Sequence, residues 1–243
     1  MTSGHTAHSS DHLAALLSGE TKVFVVVPAF NETNAIDAVV TALKHFPVTV
    51  VVVDDGSSDG TGATASVAGA VVVRHAINRG QGAALQTGIE FSLREGAAYV
   101  VTFDSDGQHR AEDVPRLLEP LLDGVADVAL GSRFLGRAVG IPPRRRGLLR
   151  AAVLFTRLAS GLPVTDTHNG LRAFTRAAAE RIDIRLDGMA HASELLDQIR
   201  AGRFRFIEVP VEIRYSDYST RKGQRDWSAV RIVFEYFLGR WLR

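Results

Sequence analysis

The chain has 243 residues and a net charge of +1, with 46% apolar and 23% charged side chains. That length fits one large domain or a domain with a small appendage, the balance is that of a soluble globular protein, and the near-neutral charge makes no electrostatic case for nucleic acid. Cysteine is absent, which excludes a disulfide framework and thiolate chemistry, and no run of about 18 apolar residues is present to span a bilayer.

"MTSGHTAHSSDH" is small and polar, and it opens residues 1–20. They read as a disordered leader with solvated histidines, without the basic-then-apolar layout of a signal peptide. "KVFVVVPAF" is a short continuous apolar run, the signature of a strand buried on both faces. "NETNAIDAVVTALKHF" has helical spacing through Ile36, Val39, Val40 and Leu43, with Asn31 or Thr33 as candidate caps and Glu32 suited to the helix dipole. "VTVVVVDDG" is a second buried strand. "SSDGTGATASVAGA" opens on cap residues, Asp59 among them, and continues as a helix. "AVVVRH", "AYVVTFD" and "DVALGSR" are further strands, separated by the helices "GQGAALQTGIEFSLREG" and "AEDVPRLLEPLLDG".

Alternating strands and helices over the first 135 or so residues predict an α/β fold, a mostly parallel sheet with helices on both faces. Ligands on such sheets sit beyond the carboxyl ends of the strands. The polar clusters fall there: "PAFNE", "DDGSSD", "NRGQG" and "DSDGQ" follow four successive strands. One such cluster is ordinary turn chemistry; four at one edge point to one site. In "VTFDSDGQHR" a buried strand runs into Asp104 and Asp106, two residues apart and so on the same side of an extended chain. Two adjacent carboxylates repel unless a cation lies between them, and oxygen donors suit Mg²⁺ or Mn²⁺. Gln108 continues the spacing with a carbonyl oxygen. His109 reads as structural or solvated. "GSSDGTG" lacks the lysine of a P-loop.

"VVVPAFNE", "VVVVDDGSSDGT", "NRGQGAALQTGI" and "VTFDSDGQH", in this order, resemble family 2 glycosyltransferases. The branch they are most similar to contains dolichyl-phosphate mannose synthase and bacterial polyprenyl-phosphate glycosyltransferases. The resemblance covers residues 21–225 and implies a GT-A fold, a nucleotide-sugar donor and a divalent metal. It implies that Pro28, Phe30, Glu32, Val53 and Asp55 line the nucleoside pocket, Asp55 reading base or ribose. It implies that Asp104, Ser105 and Asp106 form the D-x-D motif, with Gln108 assisting at the metal, and that Arg133 in "LGSRF" contacts the diphosphate. Phe30 replaces a frequent tyrosine and keeps the ring without the hydroxyl.

The second half is less regular. Between Val128 and Thr165 there are seven arginines and no acid. "IPPRRRGLLRAAVLFTRLASG" joins Arg144, Arg145 and Arg146 to an apolar segment, a pattern suited to an anionic lipid acceptor at a membrane surface. "VTDTHNGLRAFTR" resembles the family's acceptor-side loop, D-x-x-x-G-x-R, which makes Asp166, Asn169 and Arg172 candidates for contacts to sugar or acceptor phosphate. "HASELLDQIRAGRFRFIEVPVEIRY" reads as helix, turn and strand. Its Glu194 matches an acid of related transferases that orients the sugar or acts as base. "YSDYSTRKGQ" resembles the family's C-terminal loop, where Lys222 matches a diphosphate-contacting lysine, while Arg214 is spaced further from it than in the mannose synthases. Residues 226–243 carry an amphipathic helix pattern that suits a membrane surface, a protein partner or closure of the core.

The expectation is a cytoplasmic, inverting, metal-dependent glycosyltransferase, with peripheral attachment to the cytoplasmic face of the membrane as an option, moving a sugar from GDP-mannose or a UDP-sugar to a polyprenyl- or dolichyl-phosphate acceptor. Arg133, Lys222 and a divalent ion would neutralise the leaving diphosphate, with Asp106 catalytic through that ion. A lipid phosphate needs no base; a saccharide or protein hydroxyl, the alternative acceptor, would need Glu194 or Asp166. A nucleotidyltransferase and a non-catalytic nucleotide-sugar-binding regulator are the competing functional classes. Sugar, nucleotide and oligomeric state are not legible.

Overall fold

Strand β1 (Val23–Ala29) is buried at all seven positions, as a strand covered on both faces must be. Its alternate side chains feed two separate cores. Val23, Val25 and Val27 meet Ile36, Val39, Val40 and Leu43 of helix α1 (Ile36–Leu43) and Leu117, Leu118 and Leu121 of α4 (Asp113–Leu122). Phe24 and Val26 face the other way, toward Leu85 and Ile89 of α3 (Gln81–Arg94) and Leu195, Leu196 and Ile199 of α6 (His191–Ala201). Gly88 lets α3 lie close to the sheet, since any side chain there would overlap Val26.

The computed structural model describes residues 21–139, 141, 147, 153, 162–167, 169–187 and 190–215. The expected leader, Arg144, Arg145 and Arg146, Lys222 and the expected helix 226–243 lie outside the described residues. The other elements are β2 (Thr49–Asp54), α2 (Thr61–Val67), β3 (Val71–Arg74), β4 (Tyr99–Thr102), β5 (Val128–Val139), β6 (Arg172–Thr175), α5 (Arg176–Ala179) and β7 (Phe206–Arg214).

The strand order is β3-β2-β1-β4-β6-β5-β7. All described strand-to-strand pairings are parallel except those of β6, which runs antiparallel to both β4 and β5; an isolated antiparallel bridge joins His109 to Ile213 of β7. The parallel expectation holds for the first four strands. The acceptor-side segment is not all loop, however: its end forms β6, which separates β5 from β4. This reversal brings the first residue of β6, Arg172, beside the last residue of β4, Thr102. Strand β5 also runs past the expected "DVALGSR": after an irregularity between Ser132 and Arg137 it pairs again with β7.

The capping expectation for α1 is corrected. The helix has no side-chain cap; the Glu32 carbonyl accepts the Ala35 and Ile36 N–H groups. Asn31, at φ 54°, instead accepts the Ser58 N–H through Oδ1 at 3.0 Å, and Thr33 Oγ1 lies 3.2 Å from Thr64 Oγ1. Asn31 thereby ties the loops after β1 and β2 together, and Thr33 ties the first of them to α2, rather than closing a helix. Among the described residues no helix is long and apolar enough to cross a membrane.

Candidate active site

A cleft of about 440 Å³ opens at the carboxyl edge of the sheet, within the range of small-ligand sites. The end of β1 contributes Pro28 and the loop after it Phe30 and Glu32; the loop after β2 contributes Asp55, the loop after β3 Asn78 and Gly80, and the start of α3 Gln81. The loop after β4 contributes Asp104, Ser105, Asp106, Gln108 and His109, while Arg133 comes from β5, Gly170 and Arg172 from around the start of β6, and His191 from the start of α6.

Asp104 is the centre of this arrangement. Its Oδ2 lies 2.8 Å from His109 Nε2 and its Oδ1 accepts from Gln81 Nε2 at 3.3 Å. Burial alone would raise the Asp104 carboxyl; the hydrogen bond and charge of His109, then the charges of Arg172 and His191, outweigh it and hold the group below the usual carboxylate range. Gly170 packs directly on this carboxylate, and any side chain there would overlap both oxygens. That close approach accounts for a glycine within D-x-x-x-G-x-R.

Asp106 behaves oppositely. Burial first, then the charge of Asp104 and a smaller effect of Glu32, push its carboxyl up to about 6, although the Gln108 N–H donates to Oδ1 at 3.0 Å. The pair therefore resists carrying two negative charges near neutral pH, an arrangement a cation relieves. Among the described residues no group of three or more His, Cys, Asp or Glu side chains is arranged to hold a metal. Two carboxylates, with phosphate oxygens of a ligand completing the shell, are nevertheless a common Mg²⁺ set, and Asp104, Asp106 and the Gln108 carbonyl oxygen fit it chemically.

Two buried arginines face the acids. Arg133 donates from Nε and from its main-chain N–H to Asp166 Oδ2, at 2.6 and 3.0 Å, and from Nη1 to the Tyr215 hydroxyl at 2.7 Å. Burial would lower its pKa; Asp166 and Tyr215 overcome that and raise it. Arg172 is pushed down to about 10 by burial, against the opposing charges of Asp104 and Asp166. Both remain cations at neutral pH.

Of the expected residues, Pro28, Phe30, Glu32, Asp55, Asp104, Ser105, Asp106, Gln108, Arg133 and Arg172 line the cleft. Val53, Asp166, Asn169 and Glu194 are not among its lining residues. The Val53 side chain is fully buried on the α3 side of the sheet, because alternation along β2 turns it inward. Asp166 sits behind Arg133. Glu194 is buried, and its Oε2 accepts the Arg185 and Leu186 N–H groups at 3.0 and 2.8 Å, so this carboxylate shapes the turn before α6. The Asn169 Oδ1 accepts the Leu171 N–H, while its Nδ2 is buried without a hydrogen-bond partner. Asp55 accepts from the Arg79 and Gly80 N–H groups at 2.9 and 2.8 Å and lies 2.7 Å from His75 Nδ1. It thereby holds the loop carrying Asn78 and Gln81. Arg214 donates to Glu212 at the exposed end of β7.

Gln81, His109 and His191 join the site without having been singled out for it. His109 is buried, its ring edge-on to Phe103 at 5.4 Å, with Nδ1 unpartnered. The Asp104 contact makes Nε2 the donor. A clue for His109 existed in its place directly after the acidic pair; none existed for His191, which α6 brings in from far along the chain.

The family model described as "Glycosyl transferase family 2" matches residues 24–183. The chain is 34% identical to the polyprenol monophosphomannose synthase of Mycolicibacterium smegmatis over 203 residues, covering 78% of this chain and 76% of that one. It is 26% identical to the UDP-N-acetylglucosamine–dolichyl-phosphate N-acetylglucosaminyltransferase of Methanococcus voltae over 238 residues, covering 89% and 95%. The crystal structure of mannosyl-3-phosphoglycerate synthase from Rubrobacter xylanophilus superposes with a TM-score of 0.72 at 18% identity, over 96% of this chain and 77% of that one, a likeness of fold. The fold is GT-A, and the chain belongs to glycosyl transferase family 2 as a glycosyltransferase.

Proposed function

We propose that the protein transfers a hexose, with inversion, from a nucleoside-diphosphate sugar to a polyprenyl- or dolichyl-phosphate-type lipid at a membrane surface. The observation that carries this reading is the meeting of two buried cations, Arg133 and Arg172, with the Asp104–Asp106 pair in one cleft. A diphosphate leaving group and a phosphate acceptor together need more positive charge than one arginine supplies. The names of the two relatives, both of which refer to polyprenyl-type acceptors, support the same acceptor class.

In this reading Pro28, Phe30 and Glu32 bound the nucleoside end, and the loop held by Asp55 closes its side. Asp104 and Asp106, with Gln108, hold a divalent cation, Mg²⁺ or Mn²⁺, which when bound draws charge off the diphosphate. Arg133 neutralises the diphosphate, and Arg172 the incoming phosphate. An ionised phosphate oxygen of the acceptor attacks the anomeric carbon. The bond from that carbon to the diphosphate oxygen breaks, and the electron pair leaves with the nucleoside diphosphate. No proton has to move, so no base is required. Glu194 and Asp166 then serve by positioning the turn before α6 and Arg133. Lys222 and the Arg144–Arg146 cluster are assigned to diphosphate and lipid phosphate on sequence resemblance and charge.

The test is transfer from GDP-mannose, UDP-glucose and UDP-N-acetylglucosamine, each with Mn²⁺, to undecaprenyl phosphate, undecaprenol and an oligosaccharide in parallel, with nucleotide binding measured by calorimetry alongside. Product with the phosphate alone supports the reading. Transfer to oligosaccharide hydroxyls with none to the lipid phosphate overturns the acceptor; no transfer with retained nucleotide binding favours a non-catalytic binder.

A further inference from the structure

Strand geometry alone does not hold the head of Arg133 in the cleft. Its Nε and main-chain N–H both bond Asp166, 33 residues further on, in the irregular segment before β6. That segment needs an anchor of its own, and Glu208 of β7 provides it. The Glu208 carboxylate accepts the Thr165 main-chain N–H at 2.8 and 2.9 Å, one contact to each oxygen. It also accepts the Thr165 hydroxyl at 2.9 Å and the Asp166 main-chain N–H at 3.2 Å.

The direction of the hydroxyl chain follows. The Thr165 hydroxyl hydrogen goes to Glu208, so toward Ser132, 2.6 Å away, its oxygen accepts. Ser132 Oγ–H therefore donates to Thr165, and its oxygen accepts the Leu135 N–H at 3.2 Å. Besides its bond to Tyr215, Arg133 is held at its head through Asp166 and at the preceding residue through Ser132, and these two paths both end on Glu208. In the sequence Glu208 is unremarkable. It alternates with the inward Val209, Val211 and Ile213 of a strand at the sheet edge, where a solvated charge is the default. These hydrogen bonds come from main-chain N–H groups and a hydroxyl, donors that set the shape of one turn.

We propose that Glu208 is the positioning residue for Arg133, acting through Thr165 and Asp166. The proposal rests on the reading of Arg133 as a diphosphate contact. Its prediction is a loss of diphosphate affinity that vanishes when Arg133 is already altered, because groups acting as one unit are non-additive.

The experiment uses the full chain as wild type, E208Q, E208D, T165V, R133K and the double variant E208Q/R133K. UDP and GDP binding is measured calorimetrically with Mn²⁺, and exchange of the Arg133 Nε–H is followed by NMR without nucleotide. E208Q is expected to weaken nucleotide binding about tenfold and to speed Nε–H exchange. E208D should recover part of both, and T165V should act in the same direction more weakly. The double variant should bind no worse than R133K. Additive losses in the double variant, or an unchanged Nε–H signal in E208Q, overturn the proposal. Should the wild type bind neither nucleotide, the diphosphate reading of Arg133 fails, and the Nε–H exchange alone decides whether Glu208 positions it. Should E208Q not fold, T165V, which keeps the backbone and most of the side-chain shape, carries the same test.

Discussion

The acidic and the basic halves of the cleft are built in different ways. The acids hang from neighbouring parallel strands: Glu32, Asp55, Asp104 and Asp106 follow β1, β2 and β4 within a few residues of the strand end. Each is delivered by a local strand-to-helix turn. The cations depend on contacts far apart in the chain. Arg133 reaches Asp166 at a separation of 33 residues and Tyr215 at 82, and Arg172 is placed by the antiparallel insertion of β6. The acidic half should therefore tolerate damage to the second half of the chain except where Gly170, Arg172 and His191 meet Asp104, whereas the basic half should not.

Asp166→Ala is the severest test of that contrast. It strips a 2.6 Å partner from the buried Arg133 guanidinium. Breaking a buried pair costs about 3–5 kcal/mol, which in a chain of this size lowers the melting temperature by about 10 °C. Calorimetry should show that loss together with reduced nucleotide affinity; a normal melting temperature would mean that Arg133 finds another partner.

The acidic half should reveal itself by pH. The Asp106 carboxyl is raised from 3.8 to about 6 in the folded protein. The folded state then holds its proton more tightly than the unfolded chain, so the associated stability is full below about 4 and is lost as pH rises through about 6. Urea unfolding without divalent ions should show stability falling across that window by at most about 3 kcal/mol, with Asp106→Asn flattening the fall and Mn²⁺ offsetting it at the upper end. A flat profile in the wild type would remove the charge repulsion assigned to the pair.

Gly170→Ala probes the seam between the halves. The added methyl meets the Asp104 carboxylate and should displace it without unfolding the sheet. A displacement near 1 Å costs about a hundredfold in turnover, read as sugar transfer with Mn²⁺ in excess; undiminished transfer would show that Asp104 can move aside. At the weak end, Arg94→Ala removes an exposed pair with Glu90 one helical turn away. It should cost about 0.3 kcal/mol and leave transfer unchanged.

Legibility followed the same division. Ile36, Val39, Val40 and Leu43 announced the buried face of α1 through spacing, and the runs of valine announced β1 and β2, because burial on a regular element leaves a period. The polar clusters at four strand ends were readable for the same reason. His191 and the anchoring of Asp166 left no such trace, since their partners are set by which strands lie side by side. Val53 is buried beneath α3 rather than lining the cleft: alternation along β2 decides its direction, and the motif does not. Asn31 and Thr33 looked like caps because their chemistry suits a cap, yet the neighbouring loop and α2 offered them other partners.

The order of buried strands and helices, the edge at which ligands gather and the acidic pair at the end of β4 all follow from local pattern, because each depends on residues close together in the chain. The reversal of β6, the burial of Arg133 and Arg172 and the turn held by Glu208 were decided by tertiary structure alone. They arise from pairings across dozens of residues, whose free energy exists only once the strands have come together.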